Sequence, residues 1–369
     1  MNIQGHYAPP FEPVAQEFRD LWQDVEVGAS LAIYLDGESI VDLWGGFQDA
    51  DHNRPWRQNT LVNIYSATKG IVALALAKLV DQGLLDYRQP VSDYWPEFGA
   101  ERKYDTTVDQ LLSHQAGLID FRPAVTVAEL YDWQQMTARL AAQKPRWQPG
   151  SAFGYHAITW GYLAGELIRR ITGQSPGEYL RQNFSTPLSA DVFLGLDDSE
   201  IERCATLIGP NRARRPMTPG ESPGKGKPES NDPVITPYND ASSKAFRRAE
   251  IPGTNGHASA QGLARCYQAM LDGSLVTPAT LAQLTSEVTQ GEVDCVLGQP
   301  IRRARGVILN SASCYFGPSQ RAFGHSGAGG AMAYADPEHQ VAFAYVMNQL
   351  HVDGPARSRR LIDRLYECL

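Results

Sequence analysis

The chain has 369 residues, 43% of them hydrophobic and 20% charged, with 33 basic side chains against 41 acidic ones and a net charge of −8. This composition describes a globular protein of one to three domains, and the acidic balance argues against a basic surface for nucleic acid or an anionic membrane. No run of eighteen apolar residues marks a membrane span. The five cysteines (Cys204, Cys266, Cys295, Cys314, Cys368) are scattered, which predicts reduced thiols and no zinc or redox motif.

The opening stretch "MNIQGHYAPPFEPVAQEF" lacks a cationic flank followed by an apolar run, so no secretory leader is expected and the cytoplasm is the expected location. Residues 29–46, "ASLAIYLDGESIVDLWGG", are two β-rich runs around Asp36-Gly37, a dipeptide that accepts positive φ, and predict a hairpin. From Ser66, "SATKGIVALALAKLVDQGLL" places Ile71, Leu74, Ala75, Lys78 and Leu79 at three- and four-residue intervals and predicts a helix stopped near Gly83. His114, in "LLSHQAGL", is read as a structural residue on a helix, and the aromatic and aliphatic stretch "FRPAVTVAELYDWQQM" at 121–136 as the lining of an apolar pocket.

Tyr155 follows a Pro149-Gly150 turn and directly precedes a predicted helix, "HAITWGYLAGELIRRITG", that ends at Gly173. Residues 210–240 are rich in Pro, Gly and polar side chains and read as a long surface loop. "FGHSGAGGAMAY" puts His325, Ser326 and small residues at the entry to a strand, and "GAMAYADPEHQVAFAYVMN" predicts a second hairpin turning at Asp336-Pro337-Glu338-His339. Strands near both ends with helices between them predict an α/β fold of the α+β type. Its antiparallel sheet is built from both chain ends, and a mainly helical lobe is inserted. The expected unit is a single domain, with residues 1–80 and 250–369 forming the α/β lobe, residues 81–249 the helical lobe, and the active site at their junction.

The chain holds seven lysines among its 33 basic residues, so a lysine three positions after Ser66 at a helix start is not a routine surface choice. Residues three apart on a helix lie roughly 5–6 Å apart at Cβ, which lets the Lys69 amine reach the Ser66 hydroxyl. A desolvated, neutral lysine can take the serine proton, and the positive end of the helix favours developing negative charge. The spacing is weak evidence by itself, because Ser222 and Lys225 repeat it inside the Pro/Gly loop. Tyr155 could shuttle a proton if nearby cations lowered its pKa. No H-E-x-x-H, P-loop or dinucleotide fingerprint occurs, so no metal or cofactor is expected.

Ser66-Ala67-Thr68-Lys69, Tyr155-His156-Ala157 and His325-Ser326-Gly327, in this order, resemble the three motifs of the serine β-lactamase and penicillin-binding-protein superfamily. Within it the chain is most similar to the class C β-lactamase-like (family VIII) carboxylesterases, and "LLSHQAGL" and "NGHASAQGLARCYQAM" at 255–270 support the resemblance. The resemblance implies Ser66 as acylated nucleophile, Lys69 as its activating partner and Tyr155 as the general base that then protonates the leaving group. It further implies an oxyanion hole from the backbone N–H groups of Ser66 and Ala328, with Ala157, Ser326 and Gly327 at the substrate. His325 stands where many β-lactamases carry lysine and would polarise the tyrosine or contact the substrate.

One departure bears on specificity. The tyrosine motif of β-lactamases and peptidases in this superfamily usually ends in asparagine, and here the position is Ala157. Losing that amide removes a binding partner for amide substrates and a hydrogen bond to the lysine, so the expected substrate is a small-molecule ester, with weak β-lactam hydrolysis at most. Acyl transfer, β-lactam or D-amino-acid peptide hydrolysis and a non-catalytic scaffold remain alternatives on the same fold, and the oligomeric state is open. A different nucleophile is offered by "GHSGA" at 324–328, close to G-x-S-x-G, with His339 or His351 as base, but that motif requires a helix after the serine.

Overall fold

The computed structural model describes residues 3–24, 26–209, 230–289, 293–351 and 356–369. Ser222 and Lys225, with most of the predicted 210–240 loop, lie outside them.

Seven strands form one antiparallel sheet: β1 (Ile3–Tyr7), β2 (Gly28–Leu35), β3 (Glu38–Gly46), β7 (Ile308–Leu309), β8 (Phe323–Ser326), β9 (Met332–Asp336) and β10 (Val341–Met347), in the order β1-β3-β2-β10-β9-β8-β7. The two predicted hairpins supply its centre. Asp36 and Gly37 both take positive φ, 50° and 85°, so β2 turns directly into β3 with Leu35 opposite Glu38. β9 and β10 pair Asp336 with Val341 across the second turn, and β10 joins the halves by pairing with β2 from Val341–Leu35 to Met347–Ala29. Every residue of β9 and β10 is buried.

A second, three-stranded sheet is made by β4 (Val62–Asn63), β5 (Val192–Phe193) and β6 (His257–Ala258) in the order β4-β6-β5. It stitches residues 192–193, from within the stretch expected in the helical lobe, onto segments on either side of that stretch.

The Ala67–Asp81 helix touches β8 and β9 on one side and the Thr159–Thr172 helix on another. It is buried on nearly every face, including positions off the predicted stripe such as Val72, Ala73 and Leu76, as a helix apolar all round must be. Gly70 permits the contact, since a Cβ there would meet Tyr267 Oη at 2.2 Å and His325 Cβ at 3.3 Å. The Thr159–Thr172 helix ends as predicted, at Gly173 in the left-handed region. His114 departs from its predicted helix. It follows the Val108–Leu112 helix with φ 67°, an outcome its buried partners explain below. No helix among the described residues is long and apolar enough to cross a membrane.

Candidate active site

The chain enters the Ala67–Asp81 helix through a constrained turn. Tyr65 has φ 46°, and its N–H is held by Asn63 Oδ1 at 3.0 Å, while Asn63 Nδ2 donates to Thr254 O at 3.2 Å. Thr68 Oγ1 accepts the Gly256 N–H at 2.9 Å. Ser66, at the helix N-cap, makes no side-chain capping bond, so its hydroxyl is free for other partners.

Two partners take it. Tyr155 Oη donates to Ser66 Oγ at 2.6 Å, and Lys69 Nζ lies 3.3 Å from the same oxygen. Lys69 is fully buried and donates to the carbonyls of Ala157 (2.7 Å) and Gly253 (2.6 Å). Burial, reinforced by the charge of Arg303, holds its pKa well below the ordinary ammonium value, against the opposite pull of Asp232. A neutral amine has two N–H groups and one lone pair. With both N–H groups spent on carbonyls, the lone pair is left for the Ser66 hydroxyl proton. Sequence reasoning expected the missing asparagine at position 157 to loosen the lysine, yet the main-chain oxygen of Ala157 holds it.

The tyrosine departs from expectation in the direction of its shift. Burial pushes Tyr155 up to about 12, and the Ser66 hydrogen bond and Arg303 only partly offset that, so the phenol is a proton donor in the resting site. Lys69, 4.9 Å from the phenol ring centroid, is the group poised as base.

A cavity of about 420 Å³ opens beside Ser66, with an apolar wall of Ile158, Leu297, Ile301, Ile308, Phe316 and Met332. The predicted lining at 121–136 is not part of it. Phe121, Val125, Leu130 and Met136 are buried in the core instead, where Phe121 and Trp133 pack on Tyr162 at 5.8 and 5.3 Å between ring centroids. Most of the wall comes from residues 297–316, which carry no motif, and that segment is fastened by one carboxylate. Asp294 Oδ1 accepts the N–H groups of Tyr155 (3.0 Å), Val296 (3.0 Å) and Leu297 (2.9 Å), and Oδ2 pairs with the buried Arg303 at 2.7 Å. The Arg303 guanidinium stands 5.2 Å over the Tyr155 ring. The turn at Asp294 is an Asx turn, the only signal in the sequence that could have marked the segment.

The third motif leaves β8 across the cavity. His325 is buried, its Nδ1 contacts Ser326 O at 2.8 Å, and its Nε2 has no hydrogen-bond partner among the described residues. Burial, with Lys69 nearby, lowers its pKa to about 3, so the ring is neutral and Nδ1–H is the donor. Its centroid lies 6.4 Å from that of Tyr155, with no hydrogen bond between the two side chains. Ser326, Gly327 and Ala328 all line the cavity. A Cβ at Gly327 would meet Ile64 O at 2.1 Å, so glycine lets this strand end close onto the turn that presents Ser66. Among the described residues, neither the Ser66 nor the Ala328 N–H donates to a protein acceptor. The site thus brings together a hydroxyl, a buried amine of lowered pKa, a protonated phenol, two amide donors and an apolar cavity, a set suited to acyl transfer.

The remaining histidine candidates do other work. His156 accepts the Leu118 N–H at 3.0 Å and bonds Gly154 O at 2.6 Å, and His114 Nδ1 accepts the His156 N–H at 3.1 Å, which fixes the left-handed turn at His114. Ser326 ends a strand that turns into β9 rather than a helix, and His339 sits in the β9–β10 turn bonded to Asp336, so a G-x-S-x-G elbow is not formed.

Residues 14–366 match the family model described as Beta-lactamase. The chain is 33% identical over 363 residues to the esterase/beta-lactamase LipL of Mycobacterium tuberculosis (strain ATCC 25618 / H37Rv), covering 95% of this chain and 83% of LipL. Two solved structures superpose with a TM-score of 0.89 at 40% identity and full coverage of both chains: a family VIII carboxylesterase, and a penicillin-binding-protein homologue from Caulobacter crescentus.

Proposed function

The chain belongs to the Beta-lactamase family, and from that membership we propose a serine hydrolase that cleaves small carboxylic esters through an acyl-enzyme on Ser66. The observation that carries the reading is the placement of Ser66 Oγ between Tyr155 Oη at 2.6 Å and Lys69 Nζ at 3.3 Å, with the amine's other bonds committed to carbonyls. The esterase names of similar proteins support the ester as substrate class.

Lys69 accepts the Ser66 proton as Oγ attacks the ester carbonyl. The negative oxygen that forms is held by the N–H groups of Ser66 and Ala328, where each donor contributes on the order of 10²–10³ in rate. Tyr155 gives its proton to the departing alkoxide and is reprotonated by the Lys69 ammonium, so the site is neutral again once the alcohol leaves. Water then repeats the sequence on the acyl-enzyme and releases the acid. His325, neutral and without a hydrogen-bond partner on Nε2 among the described residues, contacts the substrate instead of polarising the phenol. At position 157 the substrate meets a methyl group, so an ester loses nothing there while an amide lacks a partner, and β-lactam hydrolysis stays a weak side activity. The five unpaired cysteines support a reducing, cytoplasmic setting. Turnover of p-nitrophenyl acetate or butyrate by the wild type, lost in Ser66→Ala, tests the reading. Activity retained by that variant contradicts it.

A further inference from the structure

Among the described residues, one buried carboxylate close to this site accepts no full hydrogen bond. The chain at Asp232 is docked by the Asn231 N–H on Asp120 Oδ2 at 2.9 Å, and the Asp232 N–H bonds Ser230 Oγ at 3.2 Å. Both Asp232 carboxylate oxygens are buried. The N–H groups of Ile158 and Phe121 face them and favour the anion, but neither closes to a full hydrogen bond. The neighbouring Asp120 differs, because Arg146 bonds both its oxygens, at 3.0 and 2.5 Å, and Arg122 lies at 3.8 Å. A buried carboxylate faced by two amides but fully hydrogen-bonded by no described residue costs stability, so stability does not explain Asp232.

Its position relative to Lys69 does. The Ala157 carbonyl and the Ile158 N–H are the two poles of one peptide group, and in a trans peptide they point in opposite directions. Lys69 Nζ donates to the oxygen pole at 2.7 Å, and Asp232 faces the N–H pole. Lysine, peptide and carboxylate therefore form a line of dipoles that polarise in the same sense. We propose that Asp232 is a positioning residue for acylation, holding across the Ala157–Ile158 peptide the ammonium that Lys69 becomes when it takes the Ser66 proton. This rests on the acyl-enzyme reading above. The Ser66 O–H bond breaks, an N–H bond forms on Lys69, Asp232 stays anionic, and no proton crosses the peptide.

The charges around this line come from several elements. Arg303 from the cavity wall opposes the ammonium, and His325 and His114 beside Lys69 are kept neutral by burial. Asp120, with Arg146 and Arg122, lies beyond Asp232, and Tyr162 faces it from the Thr159–Thr172 helix. Burial first, then Asp120, push Asp232 up to about 7, against the pull of the two amides and Lys69. The counter-charge is therefore present above neutral pH and lost as pH falls through about 7.

The test uses full-length Asp232→Asn and Asp232→Glu, with p-nitrophenyl butyrate turnover and the rate of fluorophosphonate labelling of Ser66 both followed against pH. Asp232→Asn should lose on the order of tenfold in both rates on the alkaline plateau and lose the acid limb near neutrality, with an unchanged or higher Tm. Asp232→Glu should restore rate and limb in part. Labelling of Asp232→Asn at the wild-type rate with the wild-type pH profile overturns the inference while leaving the acyl-enzyme intact, and so does an Asp232→Asn chain that fails to fold. A wild type that gives no Ser66 adduct overturns the underlying reading itself.

Discussion

Lys69 Nζ lies 3.3 Å from Ser66 Oγ, and its other hydrogen bonds go to the Ala157 and Gly253 carbonyls, the geometry that the proposed base–nucleophile pair requires. Lys69→Met removes the base and should lower kcat/KM for p-nitrophenyl butyrate by about 10²–10⁴. Lys69→Arg should fall as far, because a guanidinium cannot become neutral and accept the proton. Both losses should appear in kcat at saturating ester with little change in KM.

Tyr155→Phe removes the 2.6 Å donor to Ser66 Oγ and the acid for the leaving alkoxide, and should cost about 10²–10⁴ in kcat. The loss should shrink for esters whose leaving group is already a weak base. A series of phenyl esters measures this as a steeper dependence on leaving-group pKa in the variant.

The pH profile follows from which forms must be present. Lys69 must be neutral, and burial with the charge of Arg303 favours that form by holding its pKa well below the ordinary ammonium value. Tyr155 must be protonated, and with its pKa pushed up to about 12 that condition fails only near the alkaline extreme. His325, lowered to about 3, contributes no inflection above that value. Asp232, pushed up to about 7 by burial and Asp120, supplies the acid limb, so the kcat/KM curve should rise to a plateau near neutrality and stay flat to about pH 10, and a fall between about pH 8 and 10 would show a phenol acting with a lowered pKa.

Asp294 and Arg303 are buried at 0% and 2% side-chain exposure and pair at 2.7 Å, and the same carboxylate also holds three amides. Asp294→Ala should destabilise the protein by about 3–5 kcal/mol by leaving a buried charge unpaired. The Asp294→Ala/Arg303→Met double variant should be less destabilised than the sum of the two single changes. Urea unfolding of the three variants against the wild type measures this coupling.

Ala157→Asn places an amide in the cavity wall, where one added hydrogen bond is worth about 0.5–1.5 kcal/mol. The ratio of nitrocefin to p-nitrophenyl butyrate turnover should rise by about threefold to tenfold, read from kcat/KM for each substrate.

Features that rest on local chemistry were legible in the sequence. Asp36-Gly37 with alternating flanks predicts β2 and β3, and the helix stop at Gly173 follows from its left-handed conformation. β1 was not legible because "IQGHY" is an edge strand with three exposed residues and no apolar alternation. The Ala67–Asp81 helix was legible as a helix, but its burial on both sides depends on the sheet and the Thr159–Thr172 helix meeting there, and that is tertiary information. The cavity wall was misassigned for the same reason. Residues 121–136 are apolar enough to line a pocket, yet their apolar side chains serve the lobe core, while most of the true wall, at 297–316, has no period to mark it. Asp294 meets Tyr155 across 139 residues, and Asp232 and Lys69 face the two ends of the Ala157–Ile158 peptide, so neither relationship could be read from spacing.

The most direct test is a rapid quench of the wild type with p-nitrophenyl butyrate, followed by peptide mass spectrometry. The account predicts a butyryl ester on the peptide carrying Ser66, at the hydroxyl and not on Lys69, and no adduct or turnover in Ser66→Ala. A butyryl group on any other residue, or turnover that survives Ser66→Ala, would contradict it.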